Sequence, residues 1–192
     1  RFICTAIPGE ESRALEKRDW VSLMRLTALS TEDARNIVHT ICKQYHKVIH
    51  TDIVQLIIEK KHNEVIRSSG NPLWLSMAVN ELLLLDEDDF ARVTDYGGTA
   101  ETQLHSLMLD TVTQLPNTVE GLYSYLIKRM EKRFGNTWLK SIISILGISR
   151  YGLPEVALKH LVPQLTQKKW DPLRFASFRR YFRAHLIQRG EQ

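Results

Sequence analysis

The segment from Gly70 to Leu83 constrains the fold of this chain more than any other part of the sequence. It joins a Gly-Asn-Pro turn to a long, mostly apolar run. Gly70 is able to end a preceding helix in a left-handed conformation, Asn71 is a favoured helix-capping residue, and Pro72 has no N–H to lose at the first helical position. The segment therefore predicts a rigid turn followed by an apolar helix that runs to about Leu85.

Apolar residues recur at spacings of three and four over most of the remaining chain, which is the pattern of amphipathic helices. A capping-box-like sequence with Ser30 as N-cap and Asp33 at the third helical position begins the first of these helices. Pro163 is expected to close the helix that begins at Pro154. The further predicted helices cover residues 51–69, 100–115, 119–134, 138–148, 154–161 and 171–186.

The start of the chain has a different pattern. Residues 2–7 are rich in β-favouring side chains, which predicts a buried strand, and the loosely alternating segment 20–29 allows a second one. The last third has three short helices with a Gly-Leu-Pro turn between the first two, as winged-helix and other helix-turn-helix domains do. We therefore expect a mainly α fold: a helical bundle, then a winged-helix-like domain, with one or two short strands at the N-terminus.

The composition is that of a soluble globular protein, since 43% of the 192 residues are apolar and 25% are charged. No apolar run approaches the roughly 20 residues that cross a bilayer, and no signal peptide opens the chain. Cys4 and Cys42 form no C-x-x-C pair, so cysteine usage fits a reducing cytoplasm. Because the first residue is Arg1 and not Met, we expect a piece of a longer polypeptide.

Two segments carry letters of nucleotide-binding motifs without the full pattern. Residues 82–87 end four leucines with Asp-Glu, as a Walker B strand does. The leucines favour a helix, and no β-branched residue of a buried parallel strand is present, so we interpret this segment as a helix end. Residues 135–141 have a Gly and a Lys-Ser pair but lack the second glycine of a phosphate loop. The chain by itself is therefore expected not to hydrolyse a nucleotide.

One helical stripe holds His39, Cys42, His46 and His50, which are metal-ligating residue types. No carboxylate lies on the stripe, and the metalloprotease motif lacks its Glu, so we interpret these residues as structural or surface side chains. A basic run over residues 168–189 suits a solvated helix face or a contact with nucleic acid or an acidic partner.

Several of these segments resemble the C-terminal half of a STAND-type NTPase module, in the NACHT/AAA+ group. Residues 2–9 look like the sensor-1 strand of that group and its following turn, and residues 26–34 look like the sequence that leads into its helical lid. Residues 70–75 match the Gly-x-Pro lid motif, and residues 146–161 look like part of the winged-helix domain. The resemblance implies three parts: the end of the NTPase core at 1–29, the lid at 30–115 and the winged-helix-like domain at 116–192.

In that group the lid proline lies against the adenine base. The resemblance therefore implies that Pro72 packs on adenine, with Gly70, Asn71 and Leu73 completing this nucleotide contact. Thr5 is the polar candidate on the sensor-1 strand. The cofactor would be ATP or ADP, and its magnesium ion would be bound through residues outside this chain.

Three further positions bear on the resemblance. Trp74 either shapes the nucleotide wall or fills the core of the lid, and the core is the more usual place for an aromatic residue at helical spacing. Ile7 stands where many members have an arginine that senses the γ-phosphate. His185 falls inside the last predicted helix, unlike the nucleotide-contacting histidine of many related winged helices.

Members of this group act as molecular switches in innate immunity, cell death and bacterial antiphage defence. The resemblance implies that this chain is the lid and winged-helix portion of such an ATP-dependent switch. Its partners would be the upstream NTPase core, a downstream sensor domain and further copies of itself on activation. Two alternatives stay open: a helical protein-interaction adaptor, and a winged-helix DNA-binding protein that uses Arg174, Arg179, Arg180 and Arg183.

Overall fold

The structure, a computed structural model, describes residues 3–85, 91–183, 185 and 186. In these residues the backbone forms helices and no β-sheet, so the prediction of a mainly α fold is confirmed. The helices are α1 (Glu10–Glu16), α2 (Thr31–Gln44), α3 (Thr51–Glu59), α4 (Pro72–Leu83), α5 (Ala100–Gln114), α6 (Val119–Phe134), α7 (Asn136–Ile148), α8 (Glu155–Thr166) and α9 (Pro172–Tyr181). Short 3-10 turns cover Ser68–Gly70 and Arg92–Asp95. None of the described helices combines the length and the apolar character that spanning a membrane requires.

The strands predicted before residue 30 are not formed in the described residues. Ile3 and Ile7 are 99% and 88% exposed, and the segment 20–29 has no strand either. A strand needs a neighbour that takes up its backbone N–H and C=O groups. Side-chain preference describes how well a residue fits a pleated surface, and it does not supply that neighbour.

Three predicted helix ends are also wrong, and one of them is that of the helix predicted over 171–186, which ends at Tyr181 and leaves His185 outside it. The helix predicted over 51–69 ends at Glu59, because the chain then turns back through an isolated antiparallel bridge between Lys61 and Arg67. Pro163 does not close α8, which continues to Thr166. The buried face of α8 runs on past the proline, so packing offsets the backbone hydrogen bond that a proline cannot donate.

A first hydrophobic cluster joins α2, α3 and α4 to the end of α5 and the start of α6. Ser30 caps α2 as predicted, because its Oγ accepts a hydrogen bond of 3.0 Å from the N–H of Asp33. Nine of the 12 residues of α4 are buried, and they include Leu82 and Leu83. The interpretation of the leucine run as a helix end is therefore confirmed for the leucines, and Asp86 and Glu87 lie outside the described residues.

A second cluster joins the rest of α6 to α7, α8 and α9. Its centre is aromatic: the Phe178 ring lies edge-on to the rings of Phe134 and Trp138, at centroid separations of 6.2 and 5.7 Å. Such pairs add about 0.5–1.5 kcal/mol to the effect of burial. No β-hairpin wing accompanies these helices in the described residues, and the winged-helix-like interpretation of residues 116–192 stays a prediction.

Helix α6 belongs to both clusters. Leu122 packs in the first cluster, whereas Leu126, Met130 and Phe134 pack in the second. Gly135 ends α6 with a φ of 72°, a conformation that glycine adopts without strain. The predicted boundary between residues 115 and 116 therefore lies just before a helix that both cores share.

Candidate functional site

The turn before α4 is built largely as the sequence predicts. Asn71 caps the helix, since its Oδ1 accepts hydrogen bonds from the N–H groups of Leu73 at 2.9 Å and Trp74 at 3.3 Å. Pro72 occupies the first helical position. The expectation for Gly70 is wrong, however: this residue ends a 3-10 turn, and its φ is not in the left-handed region.

Gly70 is required for a close approach between two chain segments. A Cβ atom built on Gly70 would lie 3.2 Å from the Cβ of Ala28, which is tighter than an ordinary carbon contact. The N–H of Leu29 donates a hydrogen bond of 2.9 Å to the Gly70 carbonyl. The absence of a side chain therefore lets the backbone of residues 28–29 lie directly on the turn.

Arg67 fastens the same two segments together. Its guanidinium donates hydrogen bonds to the Leu29 carbonyl at 3.1 Å and to the Thr31 hydroxyl at 2.6 Å. The segments 26–34 and 70–75, which carry much of the family resemblance, are thereby adjacent in space. Sequence reasoning missed Arg67, and a single sequence holds no signal that pairs it with residues so far along the chain.

The loop between α5 and α6 also holds the turn in place through hydrogen bonds. Trp74 is 1% exposed, and its indole Nε1 donates a hydrogen bond of 2.9 Å to the Pro116 carbonyl. Ser68 Oγ donates one of 2.8 Å to the carbonyl of Asn117 in the same loop. The interpretation of Trp74 as a core residue is therefore confirmed.

The turn itself is exposed at Asn71, Pro72 and Leu73, and Leu73 keeps 47% of its surface accessible. A cavity of about 190 Å³ lies beside the turn, and Asn71 and Trp74 are among its lining residues, whereas Pro72 and Leu73 are not. Pockets that enclose a ligand of nucleotide size have volumes of about 300–1,000 Å³. The cavity is therefore too small to enclose a nucleotide by itself.

Thr5 is not brought to this turn. It lies exposed in the irregular segment before α1, and no hydrogen bond among the described residues joins it to residues 70–73. The predicted strand that was to position Thr5 is not formed here. A role of Thr5 in nucleotide contact stays a prediction.

The arginines proposed for DNA binding are largely engaged inside the chain. Arg174 donates a hydrogen bond to the last carbonyl of α6 and lies over an aromatic ring of α7. Arg179 is 3.7 Å from the Glu155 carboxylate, and the Arg183 guanidinium lies 3.9 Å from the centroid of the Tyr45 ring. These three arginines contact neighbouring parts of the chain, whereas Arg180 is exposed, and the DNA-binding alternative stays a prediction.

The stripe of His39, Cys42, His46 and His50 does not gather into a metal-binding group within the described residues. Cys42 is buried, and this burial raises the pKa of its thiol, which keeps the thiol protonated and unreactive. His50 instead approaches two residues that the sequence reasoning did not connect with it, Asp52 and His105.

Comparisons of the chain with protein-family models, with curated proteins and with solved structures gave no match. The functional interpretation therefore depends on the geometry above and on the motif resemblance.

Proposed function

We propose that this chain is the helical lid and winged-helix-like part of an ATP-dependent STAND signalling switch, in which residues 70–73 form one wall of an adenine site. The observation that carries this proposal is the exposed ring of Pro72, held on a capped helix start above the buried Trp74. A wall that is rigid, apolar and accessible is what the face of a purine base requires.

The chemistry of the turn favours a base over a phosphate. A free helix N-terminus attracts phosphate through its unpaired N–H groups. At α4 the Asn71 carboxamide oxygen already accepts hydrogen bonds from two of these groups. The proline ring has no rotatable side chain to order on binding, so contact with a base costs little conformational entropy. The exposed part of Leu73 extends the same apolar surface.

The proposed switch is a two-state equilibrium that the nucleotide biases. The upstream NTPase core would supply the phosphate loop, the magnesium site and the second wall of the nucleotide site. Exchange of ADP for ATP would favour a different arrangement of core, lid and winged-helix-like domain through different contacts to the γ-phosphate. We further propose that the parent protein is a slow cytoplasmic ATPase that acts in immune or antiphage defence. A downstream sensor domain would trigger it, and activation would assemble it into homo-oligomers.

The test is ADP binding by the intact parent polypeptide and by its Pro72→Ala variant, measured by isothermal titration calorimetry. The substitution removes two ring methylenes. At about 0.8 kcal/mol for each buried methylene, the loss is about 1.6 kcal/mol, or about a 15-fold weaker affinity.

The chain contains a matched control for this variant. Pro172 also occupies the first position of a helix, after Asp171, whose Oδ1 accepts hydrogen bonds from the next two backbone N–H groups as Asn71 does. Pro172→Ala is therefore expected to leave ADP affinity unchanged. Equal affinities of the two variants would refute the proposal. So would a parent polypeptide without a Gly-x-x-x-x-Gly-Lys-Ser/Thr loop upstream of this chain.

A further inference from the structure

We propose that His50, Asp52 and His105 form a binding site for one divalent transition-metal ion, and that Zn²⁺ is the ion this set fits best. The proposal does not depend on nucleotide binding, because the three side chains lie on α3 and α5 and not on the turn before α4.

The three side chains already converge. Asp52 Oδ2 lies 2.8 Å from His105 Nε2, and Asp52 Oδ1 lies 3.3 Å from His50 Nδ1. The two imidazole rings meet edge-on, with centroids 4.9 Å apart. One ligand atom from each residue can be chosen so that all three lie within 4.8 Å of one another.

This arrangement suits a metal ion of small radius. Zinc binds imidazole nitrogen and carboxylate oxygen at about 2.0–2.2 Å in a tetrahedron, so neighbouring ligand atoms are about 3.3 Å apart. The Asp52 carboxylate is 2.8 and 3.3 Å from the two imidazoles, close to that value, and the three ligand atoms lie no more than 4.8 Å apart. Two imidazoles and one carboxylate match the donor preference of Zn²⁺ and its neighbours among the transition metals, and not that of Ca²⁺ or Mg²⁺. Water would fill the remaining coordination position.

The ligands are accessible and partly oriented. The side chains of His50, Asp52 and His105 are 71%, 51% and 29% exposed, so an ion can enter without opening the core. The Asp52 carboxylate also accepts a hydrogen bond of 2.8 Å from the N–H of Ile53, which limits its rotation. The hydrogen bond from His105 lowers the pKa of this carboxyl group, and a bound ion would take the place of the proton that the two side chains share.

The helices under the site are held in a fixed relation. The Lys60 ammonium, just after α3, donates hydrogen bonds to the carbonyls of Val112 and Thr113 near the end of α5, at 2.6 and 2.9 Å. Asp52 and His105 meet near the starts of the same two helices, so α3 and α5 run side by side in the same direction. Lys60 joins this helix pair at one end, and the metal ion would join it at the other.

The experiment uses the untagged 192-residue chain, freed of metal with a chelator and titrated with ZnCl₂ by calorimetry and with CoCl₂ by visible absorption. We expect one Zn²⁺ per chain, a visible d–d band with Co²⁺, and a rise in melting temperature on adding Zn²⁺. Loss of an outer-shell partner weakens a metal site by about 10- to 100-fold, so His105→Ala and Asp52→Asn should each weaken zinc affinity by at least about tenfold.

His39→Ala is the matched control, because His39 is an exposed helical histidine outside the cluster. This variant should bind zinc as the unsubstituted chain does. Melting curves without metal check that each variant is folded. Because Asp52→Asn keeps the shape of the side chain, it serves as the test if His105→Ala is unfolded. Absence of stoichiometric binding, or equal affinities of all variants, would overturn the proposal and leave a hydrogen-bonded triad without a metal.

Discussion

Trp74 gives the sharpest test of how the turn before α4 is supported. The substitution Trp74→Phe keeps an aromatic ring in the core but removes the indole N–H that donates to the Pro116 carbonyl at 2.9 Å. Because Trp74 is 1% exposed, the smaller ring also leaves unfilled volume.

The expected loss has two parts. The phenyl ring buries roughly 40 Å² less apolar surface, which is worth about 1 kcal/mol at about 25 cal/mol per Å². The Pro116 carbonyl loses its donor, and since this residue is only half-buried, partial access to water holds the cost to about 1–2 kcal/mol. The free energy of unfolding should therefore fall by about 2–3 kcal/mol, which corresponds to a melting temperature lower by roughly 4–12 °C for a chain of this size.

The measurement is urea unfolding followed by far-ultraviolet circular dichroism, with the midpoint and the slope fitted separately. We expect the midpoint to fall by about 1 M with little change in slope. Trp20→Phe is the matched control: Trp20 is 77% exposed, so its replacement should change stability by less than about 0.5 kcal/mol. If the two variants unfold at the same urea concentration, Trp74 does not support the turn in the way described.

Two further predictions concern stability. Gly121→Ala should lower the free energy of unfolding by about 1–3 kcal/mol, because the added Cβ would lie 2.7 Å from the Cβ of Pro116. Gly147→Ala should raise it by about 0.5–1 kcal/mol, because no atom lies within 4 Å of the added Cβ. Thermal melting of both variants checks the contrast. Burial lowers the pKa of His185, so the unfolded chain takes up a proton there first, and stability should fall as the pH drops from about 6.5 to the lower folded pKa. Urea unfolding across that range should show a shallower fall in His185→Gln than in the exposed-site control His39→Gln, and equal slopes would contradict the assignment.

Signals that act within a few residues are sufficient to predict the caps that begin α2 and α4, but not the conformation of Gly70. Ser30 and Asn71 each cap a helix by accepting hydrogen bonds from N–H groups two or three residues later, so the sequence pattern contains both partners. The positive φ of Gly135 is likewise a local feature, because glycine adopts this conformation without strain. Where local preference and packing compete, packing decides: α8 continues through Pro163 because its buried face extends to Thr166.

The rest of the candidate site depends on pairs that are distant along the chain. Arg67 bonds a carbonyl 38 residues earlier, and Trp74 bonds one 42 residues later. Asp52 meets an imidazole 53 residues away. One sequence holds no record of such pairings, and so it predicts the cap of α4 but neither the supports of the turn nor the histidine–aspartate cluster. The exposure of Pro72, on which the proposed function depends, is also a product of these long-range contacts.

The 16-residue helix α6 connects the two halves of the molecule, because Leu122 packs in the first core and Leu126 packs in the second. Each residue added to an α-helix turns the remainder of the helix by about 100° and advances it by about 1.5 Å. Inserting one alanine between these leucines would therefore rotate the residues that pack in the second core by about 100° relative to Leu122. The length of α6 therefore helps to set the mutual orientation of the two halves, together with contacts such as that of Arg183 with the Tyr45 ring.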